Sequence, residues 1–144
     1  MKTIQLTPSC KDYLWGGEKL RTEYGIQSEL HPLSEAWMLS CHPDGPSYLP
    51  DGSTFQQYIN AHPALGTHCE KFSEFPVLAK LIDAKKDLSI QVHPSNEYAL
   101  EHEHQYGKTE MWYVLEAEPG APSTTASPMR SARRSLNAAF RITP

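Results

Sequence analysis

The chain has 144 residues, 39% hydrophobic and 21% charged, with a formal net charge of −4. That length suits one domain with its own core, and the acidic balance gives no basic footprint for nucleic acid. The first ten residues, MKTIQLTPSC, lack the apolar core of a signal peptide, and nowhere does an apolar run reach bilayer length; the expectation is a cytoplasmic protein with no membrane partner.

In chain order, Lys11 to Leu20 (KDYLWGGEKL) reads as a strand or extended segment running into a turn at the Gly-Gly break. SEAWMLSC, Ser34 to Cys41, alternates as a strand. With the loop HPDGPS, the short SYL run and the Pro50-Asp51-Gly52 turn, it predicts a β-hairpin. Ser53 or Thr54 can cap a helix whose Phe55, Tyr58 and Ile59 share a face, ended by His62-Pro63. FPVLAKLIDA, Phe75 to Ala84, is the most apolar stretch and predicts a buried strand; the Lys80 ammonium inside it needs a partner or an opening to water. LSIQVHP, Leu88 to Pro94, alternates apolar and polar residues as another strand. Ser95 or Asn96 can cap a short helix through EYALEHEH, ended near Gly107. KTEMWYVLEAEPG, Lys108 to Gly120, predicts a further strand. Cys10, Cys41 and Cys69 are widely spaced and odd in number, which predicts free thiols and no thiolate metal site.

The composition divides the chain at Ala121. Residues 122–144 hold four arginines and no Asp, Glu or Gly, so residues 1–121 carry nine basic against seventeen acidic residues. The predicted organisation is a folded unit over 1–121 and a disordered Ser/Arg-rich tail over 122–144.

The polar row of LSIQVHP holds the candidate chemistry. Gln91 and His93, at i and i+2 of a strand, project from one face. Glu110 follows seventeen positions after His93, on the face of Trp112 and Val114, where a carboxylate beside apolar groups needs a metal or a cation. An imidazole, an amide oxygen and a carboxylate suit a divalent first-row metal such as zinc; a hydrogen-bonded strand histidine is the competing reading. His102 and His104 do not face each other on a helix and are expected in solvent.

YLWGGEKL, SEAWMLS, FPVLAKLIDAKKDLSIQVHP and EYALEHEHQYGKTEMWYVLEAEPGA together resemble the type I mannose-6-phosphate isomerases, especially their short bacterial form, from about Tyr13 to Ala121. The resemblance implies a mainly β, cupin-like jelly-roll sandwich or barrel with a few short helices. It implies a metal-dependent aldose–ketose isomerase that interconverts mannose 6-phosphate and fructose 6-phosphate, with one zinc or another divalent first-row metal per chain. Carried over residue by residue, Gln91, His93 and Glu110 are metal ligands and Lys108 lines the substrate pocket as a catalytic group. Trp15, Lys80 and Ser89 are further substrate-pocket candidates. The alternative is a non-catalytic cupin-like module that binds metal or a sugar phosphate.

This chain also departs from the family pattern. Family members continue with further strands, a fourth metal ligand (a late histidine) and a late substrate-binding arginine, whereas here no histidine follows His104. The break at Ala121 therefore predicts a frameshifted or truncated reading frame, an incomplete barrel, and an impaired isomerase that is poorly soluble or oligomeric.

Overall fold

The computed structural model describes residues 3–62, 65–72 and 74–121, and the backbone of 138–142. Five strands form one sheet: β1 (Ser9–Lys11), β2 (Glu35–Leu39), β3 (Val77–Ile82), β4 (Thr109–Tyr113) and β5 (Ala138–Ile142), in spatial order β1-β2-β3-β5-β4. Neighbouring strands are antiparallel, with Cys10 opposite Ala36, Ala36 opposite Leu81, and Trp37 opposite Lys80. The helices are short: α1 (Lys19–Thr22), α2 (Phe55–Ala61) and α3 (Asn96–His102), with a 3-10 turn at Thr67–Cys69.

Strand alternation separates two sets of side chains on the sheet. Ala36 packs with Leu20 of α1 and Leu33 in a fully buried cluster, against which Cys10, Met38 and Leu81 lie. From the alternate positions of β2 and β3 come Glu35, Trp37 and Lys80, which contact one another. Gly16 lets the Gly-Gly segment reach Ser34, where an added Cβ would stand 2.5 Å from the Ser34 Cβ. Lys19 of α1 pairs with Glu116 at 2.9 Å and ties the segment after β4 to the first helix.

Several expectations hold. β2 and β3 lie inside the predicted strands, and Thr54 caps α2 in a box: its hydroxyl accepts from the Gln57 N–H at 3.2 Å and the Gln57 side chain accepts from the Thr54 N–H at 2.8 Å. Ser95 caps α3, and all three cysteines are free.

Five expectations need correction in whole or in part. Lys11 to Leu20 is a strand end and turn followed by a helical turn, because Gly16 and Gly17 are drawn onto Ser34 and Asp83 and α1 starts directly after them. β2 makes no hairpin with SYL: its two edges are taken by β1 and β3, and Tyr48 bridges to Thr7 and Thr54 instead. Residues 88–94 form no strand: both edges of β3 are occupied, and the segment does not pair with the outer edge of β4 either; Ile90 and Val92 are 96% and 88% exposed. The strand expected over Lys108 to Gly120 is confined to β4, Thr109–Tyr113. Within the tail, Ala138–Ile142 is a sheet strand rather than disordered chain, and its AAFRI sequence has the period-two pattern a strand needs. The rest of the tail reading, over 122–137 and 143–144, lies outside the described residues.

Candidate metal centre

The junction between α3 and β4 brings the candidate residues together. Gly107 donates its N–H to the Asn96 side chain at 2.8 Å. A Cβ at Gly107 would meet the Pro94 carbonyl oxygen at 2.7 Å and the Asn96 nitrogen at 2.9 Å. Glycine therefore lets the end of LSIQVHP lie directly against the start of β4. The approach that the alternation assigns to strand pairing is made here by a close backbone contact.

Glu110 stands at the centre. Its Oε2 meets the His93 Nε2 at 2.9 Å and its Oε1 accepts from the Lys108 ammonium at 3.0 Å. The same ammonium donates to the Gln91 Oε1 at 3.3 Å, and the Trp112 indole N–H donates to Glu110 Oε2 at 3.3 Å. Only 11% of the Glu110 side chain is exposed, against 29% for His93. Burial pushes the Glu110 carboxyl upward, but the hydrogen bonds and charges of Lys108 and His93 outweigh it and hold the group below its ordinary value. It is thus a carboxylate at neutral pH.

Gln91, His93, Lys108 and Glu110 accordingly converge. One imidazole nitrogen, one amide oxygen and one carboxylate is a donor set that fits a divalent first-row cation. Among the described residues no three His, Cys, Asp or Glu side chains cluster so as to hold a metal; the third candidate donor, Gln91, is an amide.

A cleft of about 360 Å³ adjoins the centre. Trp37, Leu78 and Lys80 of the sheet line it, facing His93, Ala99 of α3 and Lys108. Lys80 has both things its sequence context demands: an ion pair with Glu35 at 3.1 Å and a place in the cleft wall. Ser89, which is exposed, and Trp15, which stacks on Tyr13 with ring centroids 5.6 Å apart, do not line it. His102 stacks on Tyr98 and His104 lines a separate cleft, so neither joins the centre. The sequence reading missed Glu35 and Trp37; the demand of Lys80 for a partner was the signal, but the partner lies 45 positions away.

A family model described as phosphomannose isomerase type I, catalytic domain, matches residues 3–124. The chain belongs to that family. Mannose-6-phosphate isomerase of Streptococcus mutans is 42% identical over 113 residues, covering 75% of this chain and 35% of that protein. A crystal structure of the Bacillus subtilis mannose 6-phosphate isomerase matches with a TM-score of 0.82 at 27% identity, covering 99% of this chain and 59% of that one. A mannose 6-phosphate isomerase bound with zinc and yttrium matches with a TM-score of 0.67 at 27% identity, covering 79% and 35%. The mainly β fold with few short helices is that of the cupin-type phosphomannose isomerases. The chain spans about a third of the length of the curated relatives it matches.

Proposed function

We propose that the chain carries the metal-binding part of a mannose-6-phosphate isomerase site, for the interconversion of mannose 6-phosphate and fructose 6-phosphate. The observation that supports this most is the convergence of His93 and Lys108 on the two oxygens of Glu110, with Gln91 on the same ammonium. Gln91, His93 and Glu110 would hold one zinc or another divalent first-row ion. Bound there, such an ion would supply a Lewis acid that draws charge onto a substrate oxygen while a proton leaves the neighbouring carbon.

The chain's own residues supply binding and orientation. Glu110 stays ionised and fixes the His93 ring through Nε2, leaving the imidazole oriented before any ligand arrives. Lys108 can exchange its contact with Gln91 for a phosphate or hydroxyl oxygen, a charge-assisted hydrogen bond that positions the sugar. Lys80 lies in the wall of the same cleft. Trp15 and Ser89 belong to the reading through the family resemblance alone.

A second reading, a module that binds metal or sugar phosphate without turnover, is favoured by the exposure of Ile90 and Val92, apolar side chains left in water on either side of Gln91. Zinc stoichiometry combined with a coupled assay for fructose 6-phosphate separates the two. Zinc with turnover supports the isomerase, zinc without turnover supports the module, and a chain that takes up neither zinc nor mannose 6-phosphate contradicts both.

A further inference from the structure

Glu35 is an acidic side chain buried where it needs polar partners. It is 5% exposed, and its two oxygens accept from the Lys80 ammonium at 3.2 and 3.1 Å. One of those oxygens also accepts from the Trp37 indole N–H at 2.7 Å. Lys80 and Trp37 are direct cross-strand partners, and the ammonium lies 5.6 Å from the indole ring centre. Trp37 is itself locked in place: a Cβ added at Gly45 would stand 2.6 Å from its ring, and His42 packs edge-on against it.

A buried ion pair of this kind contributes little net stability compared with apolar residues of the same volume. Its geometry, however, leaves something to use. An ammonium has three N–H donors, and the acceptors it meets among the described residues are the two Glu35 oxygens. The third N–H belongs to a side chain lining a cleft of about 360 Å³, whose lining also includes His93 and Lys108. That volume lies within the range of small-ligand sites.

We infer that Glu35 is a positioning residue: it holds Lys80 and Trp37 in the cleft wall so that the Lys80 ammonium can donate to an anionic oxygen of a sugar phosphate. This rests on the sugar-phosphate reading above. Glu35 acts through Lys80 and does not itself touch the ligand. Without its carboxylate, Lys80 keeps its charge but loses its fixed direction, so a positioning role and a purely electrostatic one predict opposite effects.

The test is titration calorimetry on the full chain with mannose 6-phosphate and mannose as probes, alongside zinc stoichiometry and thermal unfolding. The expected result is a wild-type preference for the phosphorylated sugar of about tenfold or more. Glu35→Gln should lose most of that preference and Glu35→Asp should recover part of it, with zinc stoichiometry unchanged. The double variant E35Q/K80M removes both charges, avoids a lone buried ion, and should fold with no more preference than Glu35→Gln, what is left being the share of Lys108. Tighter mannose 6-phosphate binding by Glu35→Gln, the full wild-type preference retained by the double variant, or no preference in the wild type would each overturn the inference. Zinc uptake by a wild type lacking the preference would leave the metal reading standing; absence of both zinc and sugar-phosphate binding would remove the two together.

Discussion

Gly107→Ala strikes the contact that assembles the candidate centre without altering any candidate ligand. The new Cβ would stand 2.7 Å from the Pro94 carbonyl oxygen and 2.9 Å from both the Asn96 nitrogen and its Oδ1. Two of these neighbours are backbone atoms at the end of LSIQVHP, one residue beyond His93 and at the start of α3, so they cannot rotate away as a long side chain would. Relief requires the two segments to separate, which also strains the hydrogen bond from Gly107 to Asn96. Overpacking of this kind costs about 1–3 kcal/mol, a fall in Tm of roughly 3–10 °C at this chain length. The same separation draws His93 away from Glu110, now 2.9 Å apart. Zinc affinity should then fall by about tenfold or more, in the range seen when supporting contacts around a metal are lost. Differential scanning fluorimetry and zinc titration with a chromophoric competitor measure the two effects. Wild-type zinc affinity in a variant whose Tm has fallen would refute the claim that this junction sets the ligand geometry.

Thr54→Ala removes the capping box of α2 and should cost about 1 kcal/mol, a Tm decrease of roughly 3–5 °C, while zinc uptake stays unchanged. Glu110 makes stability pH-dependent with a definite sign. Its folded pKa lies below the ordinary 4.5, so its contribution is fully present above 4.5 and is lost as pH falls through the folded value. Urea midpoints measured from about pH 6 to about pH 3 should fall less steeply in Glu110→Gln than in the wild type; equal slopes would count against the Lys108–Glu110–His93 arrangement. Burial pushes the Cys41 thiol upward, partly offset by a backbone hydrogen bond from Phe75, to about 11. Iodoacetamide at about pH 8 should therefore modify half-buried Cys69 before buried Cys41, as read by peptide mass spectrometry.

The candidate centre was legible because its donors are chemically odd for where they sit: an amide and an imidazole on an alternating segment, and a carboxylate sharing a face with Trp112. How they meet was not legible. Alternation in LSIQVHP states a preference for extended backbone, but a strand also needs a partner edge, and this segment takes none: β2 and β5 hold both edges of β3, and it meets the start of β4 through Gly107 rather than through a ladder. Ile90 and Val92 therefore face solvent despite a pattern that predicts burial. Gly107 carried the missing signal, since a glycine just before a candidate site permits a close backbone approach. Lys80 announced its need for a counter-charge, yet nothing local points to Glu35, because that pairing is created by the β2–β3 register. The five residues of β5 were hidden by composition: averaged over residues 122–144, Ser, Thr, Pro and Arg outweigh the short alternating run AAFRI.

The most direct test of the metal-centre reading is zinc stoichiometry after gel filtration, on the wild type and on Glu110→Gln, with thermal unfolding to establish that both are folded. Replacing the carboxylate that His93 and Lys108 share with an amide should abolish uptake, because no anionic donor is then left to offset the Lys108 ammonium beside the site. The account predicts one zinc per wild-type chain and none in Glu110→Gln; no zinc in the wild type, or equal uptake by both, would contradict it.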